Sequence, residues 1–159
     1  MIVLGVDIGV SGAIAVLSGG VLIEVHDMPV LRDGPNRRAT INAPLLAEIL
    51  AKSHAELAYV EWVGPRPQEG PVGAFAFGRA RGVVEGVCAA LNIPVELITS
   101  PAWKRLVGVP PGKDGAKDLA RSKAIARWPD KAGLFARAKD DGRAEAGLIA
   151  VAGLIRTGA

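Results

Sequence analysis

Asp7, Glu61, Asp141 and Glu145 are acids whose types and positions in this 159-residue chain allow joint chemistry. Carboxylate oxygens are the usual ligands of hard divalent cations, so a converging set of this kind binds Mg²⁺ or Mn²⁺. Two such ions a few ångströms apart can hold both the attacking and the leaving oxygen of a phosphodiester during in-line displacement. The chemistry indicated is nucleolytic. Each acid alone also has a plain reading, since an aspartate at a helix start is commonly a cap and a glutamate one turn on is commonly solvated. The joint placement carries the weight.

That placement depends on the elements around the acids. Residues 2–6 read Ile-Val-Leu-Gly-Val, an apolar run suited to a central strand covered on both faces, and Asp7 interrupts it. Residues 57–60 repeat the pattern and end at Glu61, ahead of a glycine- and proline-rich loop that starts at Gly64 and carries Arg66. Both acids thus close buried strands at the carboxyl end, where open α/β sheets keep their sites. Asp140 or Asp141 can cap a terminal helix. Asp141 and Glu145 are four residues apart, so they share a face with Leu148, Ile149 and Ala152, which is expected to pack on the sheet.

The remaining pattern predicts one α/β domain over residues 1–159. Residues 12–17 and 21–28 read as strands that form an antiparallel meander with the first, and 29–43 as a polar, irregular stretch. Helices are expected over 44–53, 72–91, 100–108 and 116–128, with a fifth strand over 94–98. Alternating helix and strand in the second half implies parallel pairing there, giving a five-stranded mixed sheet with flanking helices. Gly78, Gly82 and Gly86 lie at four-residue spacing on the long helix. Such a stripe either packs tightly on the sheet or meets a second helix across a two-fold interface.

The stretches Asp7-Ile8-Gly9-Val10-Ser11-Gly12, Val60-Glu61, Phe77-Gly78-Arg79-Ala80-Arg81-Gly82-Val83-Val84 and Asp141-Gly142-Arg143-Ala144-Glu145-Ala146 together resemble RuvC-type Holliday-junction resolvases. With Trp103-Lys104, the last stretch is most similar to the small phage-encoded branch. The resemblance implies a ribonuclease-H-like fold and a homodimer that nicks four-way DNA junctions, with two Mg²⁺ or Mn²⁺ ions per site. Asp7, Glu61, Asp141 and Glu145 would be the acidic site, and Lys104 and Lys117 match family lysines near the scissile phosphate. Two positions depart from the family. Its last acid is often aspartate where this chain has Glu145, and the bacterial enzymes carry a base-stacking aromatic where Gly64 stands, leaving Phe75 or Phe77 as possible replacements.

Charge by region supports a nucleic-acid partner. Lys104, Arg105, Lys113, Lys117, Arg121, Lys123, Arg127 and Lys131 outnumber Asp114, Asp118 and Asp130 in the segment before the acidic helix. Phosphate binding needs such positive charge, although a solvated helix face has the same composition. Arg66 lies close to Glu61. Arg32, Arg37 and Arg38 fall in the irregular stretch, where they either grip a DNA arm or remain solvated.

Other classes fit less well. Cys88, the lone cysteine, falls at helical spacing among Val83, Val84, Val87 and Leu91, as a core residue does, and one cysteine makes no intrachain disulfide. His26 and His54 lack partners at zinc spacing. No basic leader precedes the first apolar run, and the longest late one, 146–155, is short of the roughly 20 residues a bilayer needs, so a cytoplasmic protein without membrane contact is expected. Asp-Ile-Gly before a meander also resembles actin-like ATPases, but those need two such domains around a nucleotide, so no nucleotide cofactor is expected. A related nuclease for flaps or RNA–DNA hybrids would use the same acids. A non-catalytic DNA-binding module is disfavoured by their complete placement.

Overall fold

The computed structural model describes residues 1–32, 35–65, 68–110 and 115–158. Its strands are β1 (Ile2–Asp7), β2 (Ala13–Ser18), β3 (Val21–Asp27), β4 (Val30–Leu31), β5 (Thr40–Ile41), β6 (Leu57–Trp62) and β7 (Val95–Thr99). Its helices are α1 (Ala43–Ser53), α2 (Pro71–Ala90), α3 (Ser100–Val107), α4 (Ala116–Arg127) and α5 (Asp141–Thr157). Five strands form a sheet in the order β3-β2-β1-β6-β7. The pairs β3–β2 and β2–β1 are antiparallel, while β1–β6 and β6–β7 are parallel. The expected mixed sheet is therefore present.

The stretch expected to be irregular is partly ordered. β4 and β5 pair antiparallel into a separate two-stranded sheet, with a 3-10 turn over Pro35–Arg37 between them. Two-residue strands are too short to show an alternating pattern, so the sequence offers no period to read.

The main sheet is covered on both faces. On one side Val3, Tyr59, Ile98 and Trp103 pack with Ala146, Ile149 and Ala150 of α5. On the other, Leu4, Val6, Val60 and Ala58 pack with Leu46 and Leu50 of α1 and Val84 and Cys88 of α2. Alternation along β1 explains the division, because Val3, Gly5 and Asp7 point to one face and Leu4 and Val6 to the other. Cys88 is fully buried, and burial raises its thiol to about 11, which makes it a core residue rather than a nucleophile. Among the described residues no helix is long and apolar enough to cross a membrane.

α5 lies directly on β1, and Gly5 makes that possible. A Cβ at Gly5 would stand 2.0 Å from the Ala146 carbonyl oxygen and 2.7 Å from the Ala150 nitrogen. Both are backbone atoms inside a helix and cannot swing aside. Gly5→Ala is therefore expected to destabilise the fold by about 3 kcal/mol, the upper end of the usual overpacking range. Urea denaturation measures this directly, and a loss below about 1 kcal/mol would mean that α5 can slide on the sheet.

Gly78, Gly82 and Gly86 do not pack on the sheet. All three are exposed, and a Cβ at any of them meets nothing within 4 Å. Ala80, Val84 and Cys88, two residues on from each, take the inward positions instead. Sequence spacing marks a stripe on a helix but not the direction it faces.

Candidate active site

The sheet brings the first two acids side by side. β1 and β6 run parallel with Val6 opposite Val60, so Asp7 and Glu61 follow as neighbours at the same carboxyl edge. Both continue the face that carries Val3, Gly5, Leu57 and Tyr59, which α5 covers. α5 begins at Asp141, so its first two turns present Asp141 and Glu145 above that edge. Gly142 allows the close approach. A Cβ there would lie 2.7 Å from the Ser11 carbonyl oxygen and 3.2 Å from Asp7 Oδ2.

All four acids line one cleft of about 1190 Å³, together with Ser11, Ser100, Lys104 and Lys117. Lys117 Nζ is 2.5 Å from Asp141 Oδ2. Glu61 is buried, and the indole Nε1–H of Trp103 donates to its Oε1 at 3.0 Å. Lys104 Nζ sits 5.3 Å from the Trp103 ring centroid, close enough for a cation–π contact. One tryptophan thus orients an acid and supports a cation.

Asp140 and Asp141 separate clearly. Asp140 is buried, and Arg137 binds its carboxylate through the backbone N–H at 2.9 Å and the guanidinium at 2.9 Å. That guanidinium holds the Asp140 carboxyl below its usual range. Arg143 then forms a two-point pair with Asp27 at the end of β3, at 2.6 and 2.7 Å, and lies 3.8 Å from Asp140. Asp27 is likewise held low by the Arg143 hydrogen bonds. The start of α5 is pinned to the sheet edge by this network, and Asp141 is left to face the cleft.

The acids repel one another. The Asp7 carboxyl is pushed well above its usual range, first by desolvation and then by the charges of Glu145, Glu61 and Asp141, with Lys117 opposing. Desolvation also raises Glu145, helped by Glu61 and opposed by Lys104. Among the described residues no three acidic, histidine or cysteine side chains are drawn together into a finished ligand cage. Like charges repel, and a divalent cation between such groups would remove that repulsion. The all-oxygen donor set and the uncompensated charge on Asp7 and Glu145 both fit a hard cation.

Not every expected residue reaches the cleft. Arg121 turns away, donating to the carbonyl oxygens of Phe135 at 3.5 Å and Ala136 at 3.1 Å and pairing with Asp118. These contacts tie α4 to the turn over Pro129–Phe135, and Arg121 is outside the cleft lining. Arg105 is exposed on α3 outside the cleft lining. Arg66 and Lys113 lie outside the described residues. Phe75 and Phe77 both line the cleft, Phe75 being 74% exposed, and Gly64 packs under the Trp62 ring. Trp103 as a partner for Glu61 and Arg79 as a cleft residue went unassigned in the sequence, whereas Arg38 belongs to the basic stretch read there as gripping a DNA arm or staying solvated. Of the two unassigned, only Trp103 carried a signal, because a buried indole N–H needs an acceptor.

No protein-family model and no curated protein matches the sequence. Solved structures do match in fold. A Thermus thermophilus RuvC in complex with Holliday junction substrate superposes with a TM-score of 0.69 at 18% identity, covering 99% of this chain and 95% of that one. A second Thermus thermophilus RuvC structure gives 0.61 at 19% identity, with 99% and 97% covered. The chain has the ribonuclease-H-like fold of those proteins over essentially its full length.

Proposed function

We propose that this chain is a RuvC-type Holliday-junction resolvase, a metal-dependent endodeoxyribonuclease that nicks four-way DNA junctions in pairs. One observation carries the reading: Asp7, Glu61, Asp141 and Glu145 meet with Lys104 and Lys117 in one cleft, on a fold shared with a RuvC that was solved with junction DNA. The motif resemblance points further, to the small phage-encoded branch.

In this mechanism the four acids would hold the metal ions. Two Mg²⁺ or Mn²⁺ ions would supply Lewis-acid polarisation of the phosphoryl group and lower the pKa of water. The chain's own part is positioning and charge. Trp103 fixes Glu61 through its indole hydrogen bond, and the Arg137–Asp140–Arg143–Asp27 network fixes the start of α5. Lys117 balances Asp141 and stabilises charge that builds on the phosphoryl oxygens. Lys104 acts from the neighbouring wall. Cleavage leaves 5′-phosphate and 3′-hydroxyl ends.

A junction presents two equivalent strands related by a two-fold axis, so paired cuts need two sites related in the same way. Residues 1–159 supply one domain and one site. We therefore assign a homodimer and place its contact on the exposed glycine face of α2. The work is expected in the cytoplasm. Incubation of labelled four-way, flap, hybrid and duplex substrates with Mg²⁺ or Mn²⁺ tests the activity, and sedimentation tests the assembly. Paired nicks on opposing strands of the four-way substrate are the expected result. A monomer, or faster cutting of flaps or hybrids, overturns it.

A further inference from the structure

The cleft is also lined by elements that carry none of the four acids. Along α2, Val72, Phe75, Ala76, Arg79, Ala80 and Val83 line it, a run of three- and four-residue steps that forms one helical stripe. β5, whose Ile41 packs in one cluster with Ala80 and Val84 of α2, and the residues leading into it also line the cleft, Arg38 among them.

Arginines elsewhere in the fold are mostly engaged. Arg81, Arg121, Arg137, Arg143 and Arg156 each pair with a carboxylate, and Arg127 lies over Trp128. Arg38 and Arg79 are exposed and have no hydrogen-bond or ion-pair partner among the described residues. They are also the arginines that line the cleft among those residues. Two unpaired guanidinium groups thus border a cleft whose floor is acidic, and a planar guanidinium fork matches a phosphate better than any other side chain.

We propose that Arg38 and Arg79, carried by different elements of the cleft from Lys104 and Lys117, supply further phosphate contacts that hold the DNA strand flanking the scissile phosphate. This rests on the nuclease reading and adds the path of the strand to it. The cleft, at about 1190 Å³, exceeds the roughly 300–1,000 Å³ of sites for single small ligands, so it has room beyond one nucleotide. A strand over four acids is repelled by them, and cationic anchors beyond Lys104 and Lys117 offset this. The apolar stripe between Arg79 and the N-terminus of α2 leaves the sugar and base side of the strand an uncharged surface. Phosphate contacts of this kind fix register without reading sequence.

The test uses the full chain and a labelled four-way junction, titrated over a range of salt concentrations. Arg38→Ala and Arg79→Ala are each expected to weaken binding several-fold and to lower the slope of log Kd against log salt by about 0.7–0.9, the value for one phosphate contact. Arg38→Lys and Arg79→Lys are expected to recover the slope, because it counts charge, while regaining only part of the affinity, because the fork is lost. Lys52, exposed at the end of α1 and paired with Glu48, is the remote control, and Lys52→Ala should leave the slope unchanged. Unaltered Kd and slope in both alanine variants of a protein that binds and nicks junctions overturn this inference alone. An equal loss from Lys52→Ala also overturns it, by reducing the effect to net charge. A wild-type protein that binds no branched DNA removes this site and the nuclease reading together.

Discussion

Asp7→Asn is expected to abolish cleavage, by about 1,000-fold or more, while junction binding stays within a few-fold of wild type. A thousandfold is about 4 kcal/mol of transition-state stabilisation, the scale on which bound cations act in phosphoryl transfer. Asp7 ends the central strand, faces Gly142 and α5, and is the acid on which the charges of Glu145, Glu61 and Asp141 converge. Asparagine keeps its shape but removes the charge that would hold a divalent cation. DNA affinity would come instead from lysine and arginine side chains, which the substitution does not touch. Cleavage at the wild-type rate would reject the assignment.

The same substitution has an opposite effect on stability. Desolvation and neighbouring acids raise the Asp7 carboxyl well above its usual range in the folded chain, whereas in the unfolded chain it titrates at about 3.9. The folded state therefore binds a proton more readily, so its metal-free stability falls as pH climbs from the unfolded value through the raised folded one. An asparagine side chain carries no such proton. Metal-free Asp7→Asn is expected to melt higher than wild type at about pH 8 and to lose that advantage near the unfolded carboxyl value of about 4. Added Mn²⁺ should raise the wild-type melting temperature and leave the variant nearly unmoved. A variant that melts well below wild type under the alkaline condition would mark Asp7 as a folding element.

What the sequence displayed and what it hid divide along a physical line. Asp7 and Glu61 were legible because each breaks an apolar run, and a charge that ends a buried strand needs a partner. Asp141 and Glu145 were legible because a helical face carries its own period. The direction of Gly78, Gly82 and Gly86 was not, since a glycine stripe has no polarity to tell inside from outside. Arg121 looked like its basic neighbours, yet the carbonyls that hold it lie in the turn over Pro129–Phe135 and just beyond it. Trp103 and Glu61 are 42 residues apart, and Arg143 and Asp27 are 116 apart. Contacts over such separations leave no local pattern. The choice between Asp140 and Asp141 turned on Arg137, three residues before Asp140, whose guanidinium claims Asp140 and leaves Asp141 facing the cleft.

Lys117→Ala separates catalysis from binding. Its ammonium lies 2.5 Å from Asp141, and its side chain is 73% exposed, so the pair contributes little to folding because solvent screens it. Asp141 raises the Lys117 pKa through their hydrogen bond, and the group stays cationic at neutral pH. A fixed cation beside the reacting phosphate acts most strongly where charge develops, in the transition state. The single-turnover rate is expected to drop about 100-fold, the lower end for removing one such group. Junction affinity should drop only about threefold, since one phosphate contact among several is lost. Lys117→Arg keeps the charge but changes its reach, and should restore the affinity fully and the rate in part. Were rate and affinity to drop by the same factor, Lys117 would be an ordinary backbone contact, and the charge on the phosphoryl oxygens would fall to Lys104, the second lysine that lines the cleft among the described residues.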